Sequence, residues 1–126
     1  MFTHVCVGSN DLQKSKEFYD AVLGSLGIEN GKALGDRGYM YSHHGGNFLI
    51  LKPLNGEAAT YANGGTIGFI AAGAAAVEAA YIAGMNNCGN DEGEPGKRPN
   101  APGNAYGAYL RDPMGNKLSF YCQLYL

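Results

Sequence analysis

Apolar and polar positions change period in the same order twice along this chain. Phe2 to Val7 alternates as a strand does. Ser9-Asn10-Asp11 then offers helix-capping oxygens, with Gln13 three residues after Asn10 as a loose capping box. Leu12, Tyr19, Val22, Leu23 and Leu26 follow at helical spacing, and Gly24 and Gly27 stop the helix. Asn30-Gly31 marks a turn, and short strands are predicted over Lys32 to Leu34, Tyr39 to His43 and Asn47 to Lys52. The second half repeats the order. Thr66 to Ala71 reads as a strand and Ala74 to Ala83 as a helix with Val77, Ala80 and Tyr81 inward. Asn86 to Asn104, rich in Gly, Asn, Pro and charge, reads as a long loop, and a loop of that length is usually functional or mobile. Tyr106 to Arg111 and Lys117 to Gln123 are strands, joined by Asp112-Pro113-Met114-Gly115 as a type I turn.

The two halves echo each other residue by residue. An offset of about 62 lays Tyr19 on Tyr81, Gly27 on Gly89 and His4 on Thr66. Gly46-Asn47-Phe48-Leu49-Ile50-Leu51 resembles Gly115-Asn116-Lys117-Leu118-Ser119-Phe120, which lays Ile50 on Ser119. The predicted order is therefore β-α-β-β-β, twice, in an α+β fold. Residues 1–53 form module one, 54–64 a linker and 65–126 module two, all within one domain. One module cannot cover its own sheet. Two together would build a curved mixed sheet around a pocket, with the helices outside.

Composition narrows the function. A length of 126 residues allows a real core, and a net charge of −2 with scattered basic residues argues against a nucleic-acid partner. No basic amphipathic helix suits a membrane surface, and Met1-Phe2-Thr3-His4 does not open a signal peptide. Thr66 to Met85 is nearly free of charge, but it is Ala- and Gly-rich and contains Glu78, so it reads as strand and helix rather than a membrane span. Cys6, Cys88 and Cys122 are an odd count at wide spacing, which fits reduced thiols in the cytoplasm.

Two motifs carry a family resemblance. His4-Val5-x-Val7-x-x-x-Asp11-Leu12-x-x-Ser15-x-x-Phe18-Tyr19 opens the chain, and Tyr106-Gly107-Ala108-Tyr109-x-x-Asp112-Pro113-x-Gly115-Asn116 comes near its end. Together they resemble the vicinal oxygen chelate superfamily, which includes glyoxalase I, bleomycin-resistance proteins and extradiol dioxygenases. The resemblance implies a divalent-metal site with ligands from four strands, at positions matching His4, Ile50, Thr66 and Ser119. Of these only His4 is a competent ligand. Ile50 is apolar, and Thr66 and Ser119 offer neutral hydroxyls. No metal or other cofactor is therefore expected. The alternative is a divalent-metal lyase or dioxygenase using His4 with His43 or His44.

Strand alternation names the residues that would line the pocket. Cys6 goes with His4, Phe48 and Lys52 with Ile50, Gly68 and Ile70 with Thr66, and Lys117 and Tyr121 with Ser119. Such a cavity would suit a small organic molecule with an aromatic part and a polar or anionic end. Lys97 and Arg98 stand where they would meet an anion at its mouth. Each residue also has a plainer reading: Cys6 as packing, Lys52 snorkelling to solvent, the tyrosines as strand filling. Whether a reaction is catalysed stays open. His4 is the best candidate for a general base, and Ser119 lacks an acid to orient a Ser-His pair. The resemblance also implies a homodimer, and the apolar tail Phe120 to Leu126 would suit its interface.

Overall fold

The computed structural model describes residues 1–123; Tyr125 and the other tail residues beyond that point lie outside the described residues. Module one contains β1 (His4–Gly8), α1 (Leu12–Gly24), β2 (Lys32–Ala33), β3 (Gly38–His43) and β4 (Gly46–Leu51). Module two contains β5 (Ile67–Ile70), α2 (Ala74–Met85), β6 (Asn90–Lys97), β7 (Ala105–Arg111) and β8 (Lys117–Gln123). The α+β class and the tandem βαβββ order are as the sequence predicts. The strands are hydrogen-bonded as two four-stranded mixed sheets, ordered β1-β4-β3-β2 and β5-β8-β7-β6.

The first helix starts one residue later than a cap at Asn10 would require. Asp11, in extended conformation, is the N-cap, and its carboxylate accepts from the Lys14 amide at 3.0 Å. Asn10 instead clamps the linker: its side chain accepts from Ala59 N at 2.6 Å and donates to Ala59 O at 3.1 Å. Gln13 donates to Glu17, so the predicted capping box does not form. Gly24 lies inside the helix, and the left-handed stop is Gly27 with φ of 86°.

The predicted loop from Asn86 to Asn104 contains a strand. The segment Asn-Asp-Glu-Gly-Glu-Pro-Gly-Lys pairs antiparallel with β7 as β6, with register shifts around Gly93. It has no β-branched or aromatic residue, so its strand character comes from pairing with its neighbour rather than from propensity.

The first helix packs on β3 and β4, the second on β6, β7 and β8, and the two helices pack on each other. Phe18, Tyr19, Val22 and Leu23 of α1 are buried with Val77 and Ala80 of α2. Gly84 lets them approach, since a Cβ there would sit 2.6 Å from Leu110 Cδ2 and 3.2 Å from Phe18. From the sheets come Tyr41, Phe48, Ile50, Leu110, Leu118 and Phe120. Each fully buried side chain of this kind contributes roughly 1.5–3 kcal/mol. Phe69 links the two sheets, with its ring 5.3 Å from Phe48 and 6.2 Å from Phe120.

The turn between β7 and β8 ties module two to module one. Asp112, 1% exposed, accepts from the amides of Met114 and Asn116 on Oδ1. Its Oδ2 accepts from Tyr19 Oη at 2.6 Å and Asn116 Nδ2 at 2.8 Å. Asn116 Nδ2 also reaches Gly8 O at 3.5 Å, at the end of β1. Asp11, Tyr19, Asp112 and Asn116 therefore explain much of both sequence motifs as a cap and a clasp.

Candidate functional site

Because one face of each sheet is covered by helices, the other face is where chemistry could be presented. Alternation and register decide which residues reach it. In module one His4 pairs with Asn47, Cys6 with Leu49, Val7 with Ile50 and Gly8 with Leu51. His4 and Cys6 are exposed and Val7 is buried, so Asn47, Leu49 and Leu51 share the open face. Phe48 and Ile50 point the other way. They are 6% and 0% exposed and belong to the core, with the Phe48 ring tilted against that of Tyr19 at 4.9 Å.

The structure thus moves one of the sequence positions. Cys6 corresponds to Gly68 at the offset of about 62. Cys6 pairs with Leu49, and Gly68 pairs with Ser119. The counterpart of Ser119 is therefore Leu49, not Ile50. The echo between the two terminal strands is misaligned by one residue, and in a strand one residue turns a side chain to the opposite face.

On the open face of module two lie Gly68, Ile70, Ser119, Tyr121, Tyr109 and Lys117 by the pairings Gly68 to Ser119, Ile70 to Tyr121, Tyr109 to Ser119 and Arg111 to Lys117. Thr66 is exposed and lies just before β5. Ile70 is 90% exposed. Ser119 lies against Gly68, where a Cβ would stand 3.0 Å from its hydroxyl. Tyr109 and Tyr121 share a short hydroxyl–hydroxyl bond and meet edge to face at 5.8 Å. Burial and that bond push the Tyr121 phenol up to about 12. Gly107, opposite Tyr121 in the register, makes the room: a Cβ there would fall 2.4 Å from the Tyr121 ring.

Two cavities open beside these faces. One of about 420 Å³ gathers Cys6, Gly8, Arg37, Leu51, Lys52, Asn55 and Thr60 where β1 and β4 run into the linker. It brings together two of the expected residues, Cys6 and Lys52, and adds Arg37, Asn55 and Thr60, which strand reasoning missed because they lie on turns and linker. The second, of about 360 Å³, is lined by Lys97, Arg98, Pro99, Asn100, Ala101, Tyr109 and Tyr121. His4 lines neither. It bonds only its neighbour Thr3, at 2.9 Å, and no bond, ion pair or ring contact among the described residues joins it to Thr66 or Ser119.

The family model of the Glyoxalase/Bleomycin resistance protein/Dioxygenase superfamily matches residues 2–120. The chain belongs to this superfamily. Among solved structures, a glyoxalase/bleomycin resistance protein from Albidiferax ferrireducens T118 is 48% identical, with a TM-score of 0.89 over 96% of this chain and 97% of that one. A putative glyoxalase from Bacillus halodurans (21% identity, TM-score 0.74, 96% and 94% covered) shares the fold. So does the lactoylglutathione lyase from Agrobacterium tumefaciens (22%, TM-score 0.64, 96% and 92% covered). No curated protein matches the chain.

A divalent ion at the positions the superfamily resemblance implies would meet His4, Leu49, Thr66 and Ser119. One imidazole, one leucine and two neutral hydroxyls do not fit such an ion. His43 does not repair the set. Ser42 pairs with Asn47, which pairs with His4, so alternation turns His43 to the opposite face. His43 instead stacks on His44 at 3.8 Å in the β3–β4 turn, where His44 has a φ of 48°. Among the described residues no group of three or more His, Cys, Asp or Glu side chains is placed to hold a metal ion.

Proposed function

We propose that this superfamily member binds a small organic molecule on the open faces of its sheets without a resident metal. Its role would be sequestration, sensing or a reaction driven by its own side chains. The observation that carries the reading is the donor set: four positions that would need carboxylates or imidazoles hold one histidine. The two cavities have volumes within the range of small-molecule sites, the first with mainly apolar walls and the second with mainly polar ones.

A homodimer belongs to the same reading. β1 and β5 are edge strands of separate sheets, and β5 exposes Ile70. A second copy covering those edges would bury apolar surface and close the open faces. Among the described residues no helix is long and apolar enough to cross a membrane, and all three cysteines are free. Free thiols favour a reducing, cytoplasmic setting.

Elemental analysis of untagged protein, paired with melting curves in nickel, zinc or manganese, tests the central reading. We expect substoichiometric metal and an unchanged Tm. A stoichiometric metal, or a metal-dependent Tm rise with isomerisation of a glutathione hemithioacetal, would replace it with a metal-dependent lyase. Sedimentation at micromolar concentration tests the dimer; a monomer there overturns it.

A further inference from the structure

The second cavity is more basic than the chain around it. The whole molecule carries nine Lys and Arg and a net charge of −2. Lys97 and Arg98 line this cavity of about 360 Å³ with no acidic side chain among its lining, as Arg37 and Lys52 line the first, and here Lys117 also stands against Tyr109 of the wall. Arg98 and Lys117 both approach the Tyr109 ring, at 5.4 Å and 5.2 Å from its centre. Tyr109 is fixed in turn by its bond to Tyr121.

Neither Lys97, Arg98 nor Lys117 is in an ion pair among the described residues, although Lys117 stands near enough to Glu92 to help Arg111 lower that carboxyl's pKa. Among the described residues the ion pairs are Lys16 with Asp20 and Arg111 with Glu92, so the nearby Glu92 is already engaged. Arg98 spends one guanidinium nitrogen on the backbone carbonyl of Glu94, while its Nε is enclosed and has no acceptor. A buried, unpartnered donor on a cation is costly, and an arriving anion relieves it. Pro99, Ala101 and the two tyrosine rings supply apolar and flat walls.

We infer that this cavity binds the acidic end of a small organic anion, a carboxylate or phosphate on a flat apolar body, with Arg98 and Lys117 as its charge partners. The inference deepens the small-molecule reading above and rests on it. Arg98 meets the anion once its side chain turns the enclosed Nε–H toward the cavity, Lys117 adds positive charge beside Tyr109, and the body lies against Tyr121.

Amide-shift titrations of the full chain with benzoate, phenyl phosphate and benzamide test this. We expect either anion to move Ala101, Tyr109 and Tyr121 saturably, and benzamide to bind about ten-fold more weakly or worse. Arg98→Gln and Lys117→Gln should each weaken anion binding about ten-fold or more, while the free variants keep the parent's circular dichroism spectrum. The tighter of the two anions identifies the acid group. Equal binding of benzamide, or indifference to both variants, overturns the inference. So does anion binding confined to the Cys6–Lys52 cavity, which leaves the broader small-molecule reading standing. No binding by any probe also overturns it, and the metal analysis then decides the broader reading separately.

Discussion

Tyr19 donates to Asp112 at 2.6 Å across 93 residues of sequence, joining the first helix to the last turn. Both groups are enclosed, and burial followed by the charge of Asp112 raises the Tyr19 pKa well above the usual phenol value. The bond is a clasp between modules. Tyr19→Phe removes one donor from a buried carboxylate and should destabilise the fold by about 1.5–3 kcal/mol. Asp112→Ala strands the Tyr19 hydroxyl, two amides and the Asn116 side chain together, and should cost more. Urea unfolding with an unchanged m-value would check both. A Tyr19→Phe variant as stable as the parent would show the clasp to be incidental.

The same pair shows what was legible in the sequence. Helical spacing exposed the inward face of the first helix, and the turn chemistry of Asp112 to Gly115 was explicit, because both depend on local rules. The strand β6 was not legible, since its residues contribute neither branching nor apolar alternation and it exists through pairing with β7. The choice between Leu49 and Ile50 was not legible either. Both are apolar, and only the pairing with Cys6 and Val7 separates the open face from the core. The cavity near Arg98 depends on how that irregular strand returns, which a repeat between halves does not describe.

Asp20 gives the fold an acid-sensitive point. Partial burial pushes its carboxyl up, but bonds from Lys16, the Gly31 amide and Tyr41 together outweigh it and hold the pKa below the usual 3.8. A carboxyl lowered on folding stabilises above its unfolded pKa and loses that contribution as pH falls through the folded value. Asp20→Asn should therefore lower Tm at neutral pH, and the gap to the parent should close below about pH 4. Solvent screening keeps the effect modest at this partly exposed site. Melting curves across that window check the sign; a gap that widens in acid refutes it.

Two glycines should respond oppositely to alanine. At Gly38 a Cβ would fall 1.9 Å from the Ile50 carbonyl oxygen, against rigid backbone where β3 pairs with β4. Gly38→Ala should break that pairing and leave little folded protein. At Gly24, in the last turn of the first helix, the added Cβ would meet nothing within 4 Å beyond its own helix backbone and chain neighbours. Gly24→Ala should stabilise by about 0.5–1 kcal/mol through helix propensity. Circular dichroism melts of the pair would test both.

The register of β4 predicts chemical accessibility residue by residue. Leu49 shares the open face with Cys6, whereas Ile50 is 0% exposed beneath the first helix. Cys6 and Cys88 are exposed and would mask the result, so the test needs a Cys6→Ser, Cys88→Ser background. There, Leu49→Cys should react with a maleimide at least about ten times faster than Ile50→Cys, because a thiol reacts only when exposed as thiolate. The Ile50 variant should also melt lower, since it shortens a fully packed side chain. If Ile50→Cys labelled faster, the strand would be turned by one residue. Ile50 rather than Leu49 would then stand with His4, as the sequence echo alone suggests.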